Sequence, residues 1–313
     1  MPPVVIRPLE ERDVDEGDAI YREAFTTFLK LPPEKLRKGS YVRNRFAGKQ
    51  SACFAAESNG KLIGTVFAAN WGSVAVLGPC TTRMKGFTAQ AGAQLVARAQ
   101  EQARTWGAQH LVGYTFCDSP RHLEFFHTVD MWPRCITAVM TQLVRKNQSL
   151  PAGWVLVSAA GAARAALLED CSVMTRSVWP GLVVTSEIET VATQNIGDTL
   201  VHRGPDGAVD ALAVCHHGPG SEANENATYV KVGMVRSGEG APARFSDLLA
   251  AVEAFASQRG STSYSVGMNT AHHEAYRLLV QKRFMTTELG VSLHYKNDRA
   301  YKAEGCWVID DWR

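Results

Sequence analysis

The chain has 313 residues, 45% of them hydrophobic, and its 33 basic and 31 acidic residues nearly cancel in charge. The length favours two domains, and the balance of charge gives no electrostatic basis for binding nucleic acid or an anionic membrane. Apolar runs stay well short of the roughly 20 residues that span a bilayer, and the N-terminal segment lacks the basic-then-apolar order of a signal peptide. We therefore expect a cytoplasmic protein without nucleic-acid or membrane partners.

The seven cysteines are scattered along the chain and form no CxxC pair. An odd number of cysteines, mostly within apolar runs, suits a reducing compartment better than a disulfide framework. Structural zinc needs clustered ligands, and the cysteine and histidine spacings do not supply them. We expect no metal site.

Hydrophobic periodicity and turn residues predict alternating strands and helices throughout. The predicted elements of the first half are a strand (4–8), a helix (14–28), a hairpin around Asn59-Gly60 (53–71), a strand (71–80), a helix that stops at Gly107, a strand (110–116), a helix (120–129) and a strand (135–144). Those of the second half are a strand (154–158), a helix (162–175), a hairpin (199–216), a strand (227–235), a helix (245–257), a strand (263–269), a helix (271–281) and a strand (288–295).

The two halves are related by an internal repeat. Equivalent residues recur at a shift of 153 positions: Leu95 and Leu248, Gly107 and Gly260, Phe126 and Leu279, Met131 and Phe284. Upstream, the two hairpins match at a shift of 147 positions. The change from a shift of 147 to one of 153 falls in the polar segment 216–227, which we expect to be a long loop. The best boundary lies within residues 145–153, so the predicted domains are 1–147 and 148–313.

This order of elements resembles the GCN5-related N-acetyltransferase (GNAT) superfamily, and the whole chain is similar to a tandem, two-domain member. The resemblance implies a mixed α/β fold of two tandem domains. It also implies acetyl-CoA or another acyl-CoA as cosubstrate, whose acyl group is transferred to a small-molecule amine by direct attack on the thioester. We expect a monomer or a homodimer.

In this family the turn after the fourth strand has the pattern Gln/Arg-x-x-Gly-x-Gly/Ala and offers its backbone N–H groups to the CoA pyrophosphate. Unpaired amides and the helix dipole favour an anion there. In the first half the pattern falls on residues 87–92, where only Gly92 matches strictly. The resemblance implies these cofactor-binding residues: Leu77, Cys80, Thr81, Thr82, Phe87, Thr88, Ala89, Gln90, Ala91, Gly92 and Ala93.

The equivalent turn of the second half, residues 240–245, is degenerate. Phe245 occupies the last small position and Pro242 removes an amide donor. We therefore expect the second half to serve as scaffold and as one wall of the acceptor pocket.

The usual family acid is a tyrosine in a Tyr-x-x-x-Gly-Phe context on the fourth helix. Phe126 and Leu279 occupy that position in the two halves, and neither side chain has a proton to donate. His122 and Ser119, beside Cys117 and Asp118, are candidate substitutes in the first half. The missing tyrosine leaves two alternatives open: a reduced protein that binds acyl-CoA or a partner without turnover, and altered thioester chemistry.

In the second half the equivalent segment contains Asn269, His272 and Tyr276, and we expect Tyr276 to face the core. The tail ends with Asp310, Asp311 and Trp312. Either a cap over a cation pocket or a packed strand would explain that tail.

Overall fold

The computed structural model describes residues 3–32, 36, 41–49, 51–83, 88–218, 220–301 and 304–312. In these residues the α-helices are α1 (Val14–Leu29), α2 (Tyr41–Phe46), α3 (Thr88–Thr105), α4 (Pro120–His127), α5 (Arg164–Val178), α6 (Thr185–Thr193), α7 (Ala241–Gln258) and α8 (His273–Gln281). The strands are β1 (Val5–Pro8), β2 (Ser51–Ser58), β3 (Lys61–Trp71), β4 (Val74–Thr82), β5 (His110–Phe116), β6 (Met131–Leu143), β7 (Trp154–Leu156), β8 (Gly197–Arg203), β9 (Val209–His217), β10 (Ala227–Val235), β11 (Ser263–Asn269), β12 (Met285–Tyr295) and β13 (Trp307–Asp310). None of these helices is long and apolar enough to cross a membrane.

The internal repeat and the fold class are confirmed. The element order of β1 to β6 with α1 to α4 recurs in β7 to β12 with α5 to α8. Four equivalent pairs of elements begin 153 residues apart: β4 and β10 (74 and 227), α3 and α7 (88 and 241), β5 and β11 (110 and 263), α4 and α8 (120 and 273). The equivalent connections that differ most in length are those before the fourth strand of each half. Residues 72 and 73 alone join β3 to β4, whereas residues 218–226, inside the predicted loop, join β9 to β10.

The strands of both halves form one continuous sheet in the order β1-β2-β3-β4-β5-β12-β6-β11-β13-β10-β9-β8-β7. The last strand of each half is exchanged: β12 pairs with β5 of the first half, and β6 pairs with β11 of the second. The exchanged strands also pair with each other along the middle of the sheet. The domain limits 1–147 and 148–313 remain a prediction, since each half contributes a strand to the other.

Apolar periodicity places the helices on the two faces of this sheet. On α3, Leu95, Val96 and Ala99 are buried against β2 to β5, and the helix is followed by Gly107 with φ 75°. The opposite face of the first half carries α1 and α2, whose core includes Val14, Ile20 and Val42. In the second half α7 and α8 occupy the position of α3 and α4.

The two halves also meet through buried charges. Glu222 binds Arg45 of the first half at 2.9 Å and Lys231 of the second half at 2.9 Å. Burial opposes ionisation of Glu222, but the two cations outweigh it and hold its pKa well below the usual range. Trp71 donates its indole N–H to Glu187 at 2.9 Å beside the same cluster.

Two α-helices, α2 and α6, were missed in the sequence. Helix α2 has only 6 residues, too few to show a helical repeat of apolar positions. In α6 the charged Glu187 is buried and interrupts the apolar pattern. The tail forms β13, which ends at Asp310, as in the packed-strand alternative; Asp311 and Trp312 follow the strand and are buried.

We expect residues 1–147 and 148–313, expressed separately, to be insoluble or unfolded, and to form a soluble complex when coexpressed. Both sheet neighbours of β6 belong to the second half, and β5 would be left with an exposed edge. Soluble yield and size-exclusion chromatography check this. A folded, monomeric 1–147 fragment would contradict it.

We expect Glu222→Gln to lower the free energy of unfolding by about 3–5 kcal/mol, because it removes the buried carboxylate charge that Arg45 and Lys231 share. Glu189→Gln is the matched control. It removes only a surface pair with Lys49, worth about 0–1 kcal/mol. Denaturant titration of both variants measures the difference, and equal effects would contradict a role for the buried cluster.

Candidate active site

A fork opens between β4 and β5 in the first half. The two strands run parallel and pair from Val74 with His110 to Leu77 with Gly113, and then diverge. Gly113 permits this close approach, since a Cβ there would lie 3.0 Å from the carbonyl oxygen of Leu77. Beyond Leu77, the side of β4 that faces β5 has no strand partner in the described part of the chain. An extended ligand carrying amide groups can pair with such an edge.

The N-terminus of α3 lies next along the chain after β4. Phe87 lies outside the described residues, whereas Thr88 opens the helix and Ala89 and Gln90 are exposed. The first amides of a helix lack intrahelical partners, so this end of α3 favours an anion. Gly92 is buried, and a Cβ there would lie 3.0 Å from the ring of Phe125. The glycine therefore lets α3 pack closely against the Phe125 ring of α4.

The other predicted cofactor residues divide between the two faces of β4. Leu77 is buried in the core beneath α3, and Cys80 packs half-buried against it. Ala91 belongs to the same core. Burial raises the pKa of the Cys80 thiol to about 12, so it stays protonated. Thr81 is different: it is buried, and its hydroxyl lies 3.3 Å from that of Thr65. Half-buried Thr82 and Ala93 complete the set near the start of α3.

The fork of the second half is filled by the chain itself. Strands β10 and β11 pair in parallel from Ala227 with Ser263 to Val230 with Val266, and then diverge as β4 and β5 do. Strand β13 lies in the opening, antiparallel to β10 over residues 232–235 and parallel to β11 at Met268. At the start of α7, the Ala241 amide already donates to the carbonyl of Gly238 at 3.1 Å, and the next residue is a proline.

The catalytic candidates lie on α4. Phe126 is half-buried, with its ring 5.1 Å from that of Phe125. His122 is half-buried, and its ring lies 4.6 Å from the ring of Phe28 at the end of α1. Burial and the charge of Arg121 lower the pKa of His122 below 6.5, against a weaker opposing effect of Asp118. The imidazole is therefore mostly neutral at pH 7.

Ser119 is 8% exposed and precedes the first residue of α4. Its carbonyl accepts from the His122 amide at 3.1 Å, but its hydroxyl makes no capping hydrogen bond to the helix. The neighbouring Cys117 is exposed, and its thiol donates to the carbonyl of Leu289 on β12 at 3.3 Å. Strand β12 thus borders this site directly.

One pair of functional candidates was missed in the sequence. The Tyr114 hydroxyl on β5 donates to a carboxylate oxygen of Glu288 on β12 at 2.7 Å. Gly290 makes room for the tyrosine ring, which a Cβ at that position would overlap. Residues 114 and 288 come from different halves, so only the strand exchange brings them together, and neither half alone carries a signal for it.

The second-half candidates are parts of the core. Asn269 and His272 are buried, and Tyr276 packs against the cluster beneath α7 and α8 as expected. In the tail, Asp310 accepts from the Tyr301 hydroxyl, and Asp311 accepts from the Tyr229 hydroxyl at 2.7 Å. No group of three or more potential metal ligands occurs within the described ranges.

No protein-family model matches the sequence, and no curated protein matches it. Solved structures match its fold. A candidate acetyltransferase from Pyrococcus horikoshii superposes with a TM-score of 0.67 at 12% identity, over 99% of this chain and 95% of the other. A GCN5-related N-acetyltransferase from Sphaerobacter thermophilus gives 0.58 at 14% identity, over 94% of this chain and 96% of the other.

A tandem GNAT protein from the clavulanic acid biosynthesis pathway gives a TM-score of 0.54 at 12% identity, over 93% of this chain and 98% of the other. At such low sequence identities, the similarity shows the fold alone. Together with the repeat and the paired forks, they show that the chain has the fold of a tandem GCN5-related N-acetyltransferase.

Proposed function

We propose that this protein is an acyl-CoA-dependent N-acyltransferase that uses the first-half fork to bind its cosubstrate and acylates a small-molecule amine. The observation that carries the proposal is the difference between the two forks. Among the described residues the first-half fork has a strand edge without a strand partner beside the N-terminus of α3, whereas β13 fills the second. Acetyl-CoA is the proposed donor, because the structures of similar fold include named acetyltransferases.

In this proposal the amides of the pantetheine arm pair with β4 over residues 78–82. The pyrophosphate then lies at the N-terminus of α3, where the amides of Ala89, Gln90 and Ala91 point toward the anion. The thioester lies between the diverging strands. The seven free thiols suit a reducing cytoplasm, where we place the protein as a monomer or homodimer.

The amine attacks the thioester carbonyl, a tetrahedral intermediate forms, and the carbon–sulfur bond breaks to release CoA thiolate. The amine must lose a proton and the thiolate gains one. His122, mostly neutral at pH 7, is suited to accept the amine proton and then to return it to the sulfur. The Ser119 hydroxyl, free of a capping bond to the helix, is the proposed donor to the developing oxyanion.

A second candidate function is acyl-CoA binding without transfer. It is favoured by Phe126 and Leu279, which place no ionisable group where the family acid lies. Release of free thiol from acetyl-CoA in the presence of an amine library separates the two functions. A thiolate is a good leaving group, so loss of the tyrosine alone does not decide against turnover.

We expect calorimetric titration to give one CoA per chain, and Gln90→Glu to weaken binding about tenfold, or about 1.4 kcal/mol. The new carboxylate would repel the pyrophosphate and oppose the helix dipole. Ala243→Glu is the matched control, since it is the exposed residue 153 positions later on α7. A larger loss of CoA affinity in Ala243→Glu than in Gln90→Glu would contradict the proposal and indicate a site in the second half.

We expect His122→Ala to lower turnover about 100-fold while leaving CoA affinity nearly unchanged. With a folded-state pKa below 6.5, the basic imidazole is present at pH 7 and is lost as pH falls through that pKa. The wild-type rate should therefore decline on the acidic side, and the variant should lack this decline. His127→Ala, on the exposed side of the same helix, is the control. An unchanged rate and pH profile for His122→Ala would make His122 a packing residue.

A further inference from the structure

We infer that a small cavity between the two halves is a binding site for one neutral molecule that both donates and accepts hydrogen bonds, and that this molecule is water. The charged and titratable side chains that line the cavity come from both halves: Arg45, Lys49, Glu187, His216 and Glu222. None of these five residues belongs to either fork, so the inference is independent of the proposed function.

His216 supplies a buried donor. It is 2% exposed, and its Nδ1 accepts the backbone N–H of Glu222 at 3.2 Å. Burial lowers the pKa of His216 to about 4, against the opposing effect of the Glu222 carboxylate, so the ring is neutral at pH 7. A neutral imidazole carries one proton, and an accepting Nδ1 leaves that proton on Nε2. This Nε2 has no hydrogen-bond partner among the described residues.

Glu187 supplies an acceptor at the same cavity. This residue is 5% exposed, and Oε1 of its carboxylate accepts the Trp71 indole N–H at 2.9 Å. The same oxygen lies 4.0 Å from Nη1 of Arg45, which is too long for a direct hydrogen bond. The other carboxylate oxygen accepts no hydrogen bond from the residues that the structure describes. Buried polar groups are normally paired, so both Glu187 and His216 call for a partner.

The charges around the cavity favour a neutral occupant over an ion. In the described lining, the cations Arg45 and Lys49 balance the carboxylates of Glu187 and Glu222, and His216 is neutral. An anion would face two carboxylates. A metal cation would face the N–H of His216 and the guanidinium of Arg45. Only a molecule that can both accept and donate suits this mixture of groups.

The size of the cavity fits one water molecule. It offers about 20 Å³ to the centre of a water-sized sphere. A bound water needs about 10–15 Å³ on that measure. A water that accepts the His216 N–H and donates to Glu187 pairs both groups at once. It thereby completes the polar contact between the second half and Arg45 of α2.

Nuclear magnetic resonance of the full chain with isotope-labelled histidine tests the site at pH 7. We expect the His216 ring to carry its single proton on Nε2, and that proton to show a nuclear Overhauser contact with a bound water. The ring signals are assigned with His216→Phe, in which they disappear. A proton on Nδ1, a doubly protonated ring, or an Nε2 proton without a water contact would overturn the inference.

His216→Phe also removes the donor, and it should reduce by one the number of long-lived waters that magnetic relaxation dispersion of the solvent counts. His217→Phe, at the next position of β9, is the matched control and should leave that number unchanged, because His217 does not line the cavity. Equal numbers in wild type and a folded His216→Phe variant would contradict the site. In crystals soaked in rubidium bromide, an anomalous peak inside the cavity would overturn the assignment of a neutral occupant.

Discussion

Backbone hydrogen bonding along β12 is the constraint on which the rest of the molecule depends. One edge of this strand pairs with β5 and the other with β6, from residue 285 to residue 295. Unpaired peptide groups in a buried sheet are costly, so neither half can move away without breaking this ladder. The strands of the two halves therefore belong to one continuous sheet. The position of Glu288 beside Tyr114 follows from the same pairing.

The internal repeat gives two forks with different contents. Both open after four pairs of residues, and both are followed by a helix of the same length. In the first fork, Gly113 lets β5 approach β4 closely at the last pair of residues before the strands separate. The equivalent residue of the second fork is the buried Val266. The start of α7 carries Pro242 where α3 carries Ala89. These local differences are the basis for proposing a single cosubstrate site in the first half.

Much of the fold was predictable because each element has its own local pattern. Periodic apolar positions and turn glycines identify α3, the two hairpins and the strands of each fork. The exchange of β12 and β6 was not predictable, since a strand has the same alternating pattern whichever neighbour it joins. The pair of Tyr114 and Glu288 was missed for that reason. Of the predicted site residues, Gly92 lies inside α3 and not in a turn, and its lack of a side chain accommodates the ring of Phe125.

The tether of β13 has a consequence for competition between ligands. Eleven residues, 296–306, separate it from the end of β12, so the strand stays close to the fork that it fills. A segment on so short a connection has an effective concentration on the order of millimolar, and it loses little translational freedom when it binds. Any free molecule must exceed that local concentration or bind far more tightly to displace it. The second fork is in this sense a receptor already saturated by its own chain, whereas no strand of the described residues competes for the first.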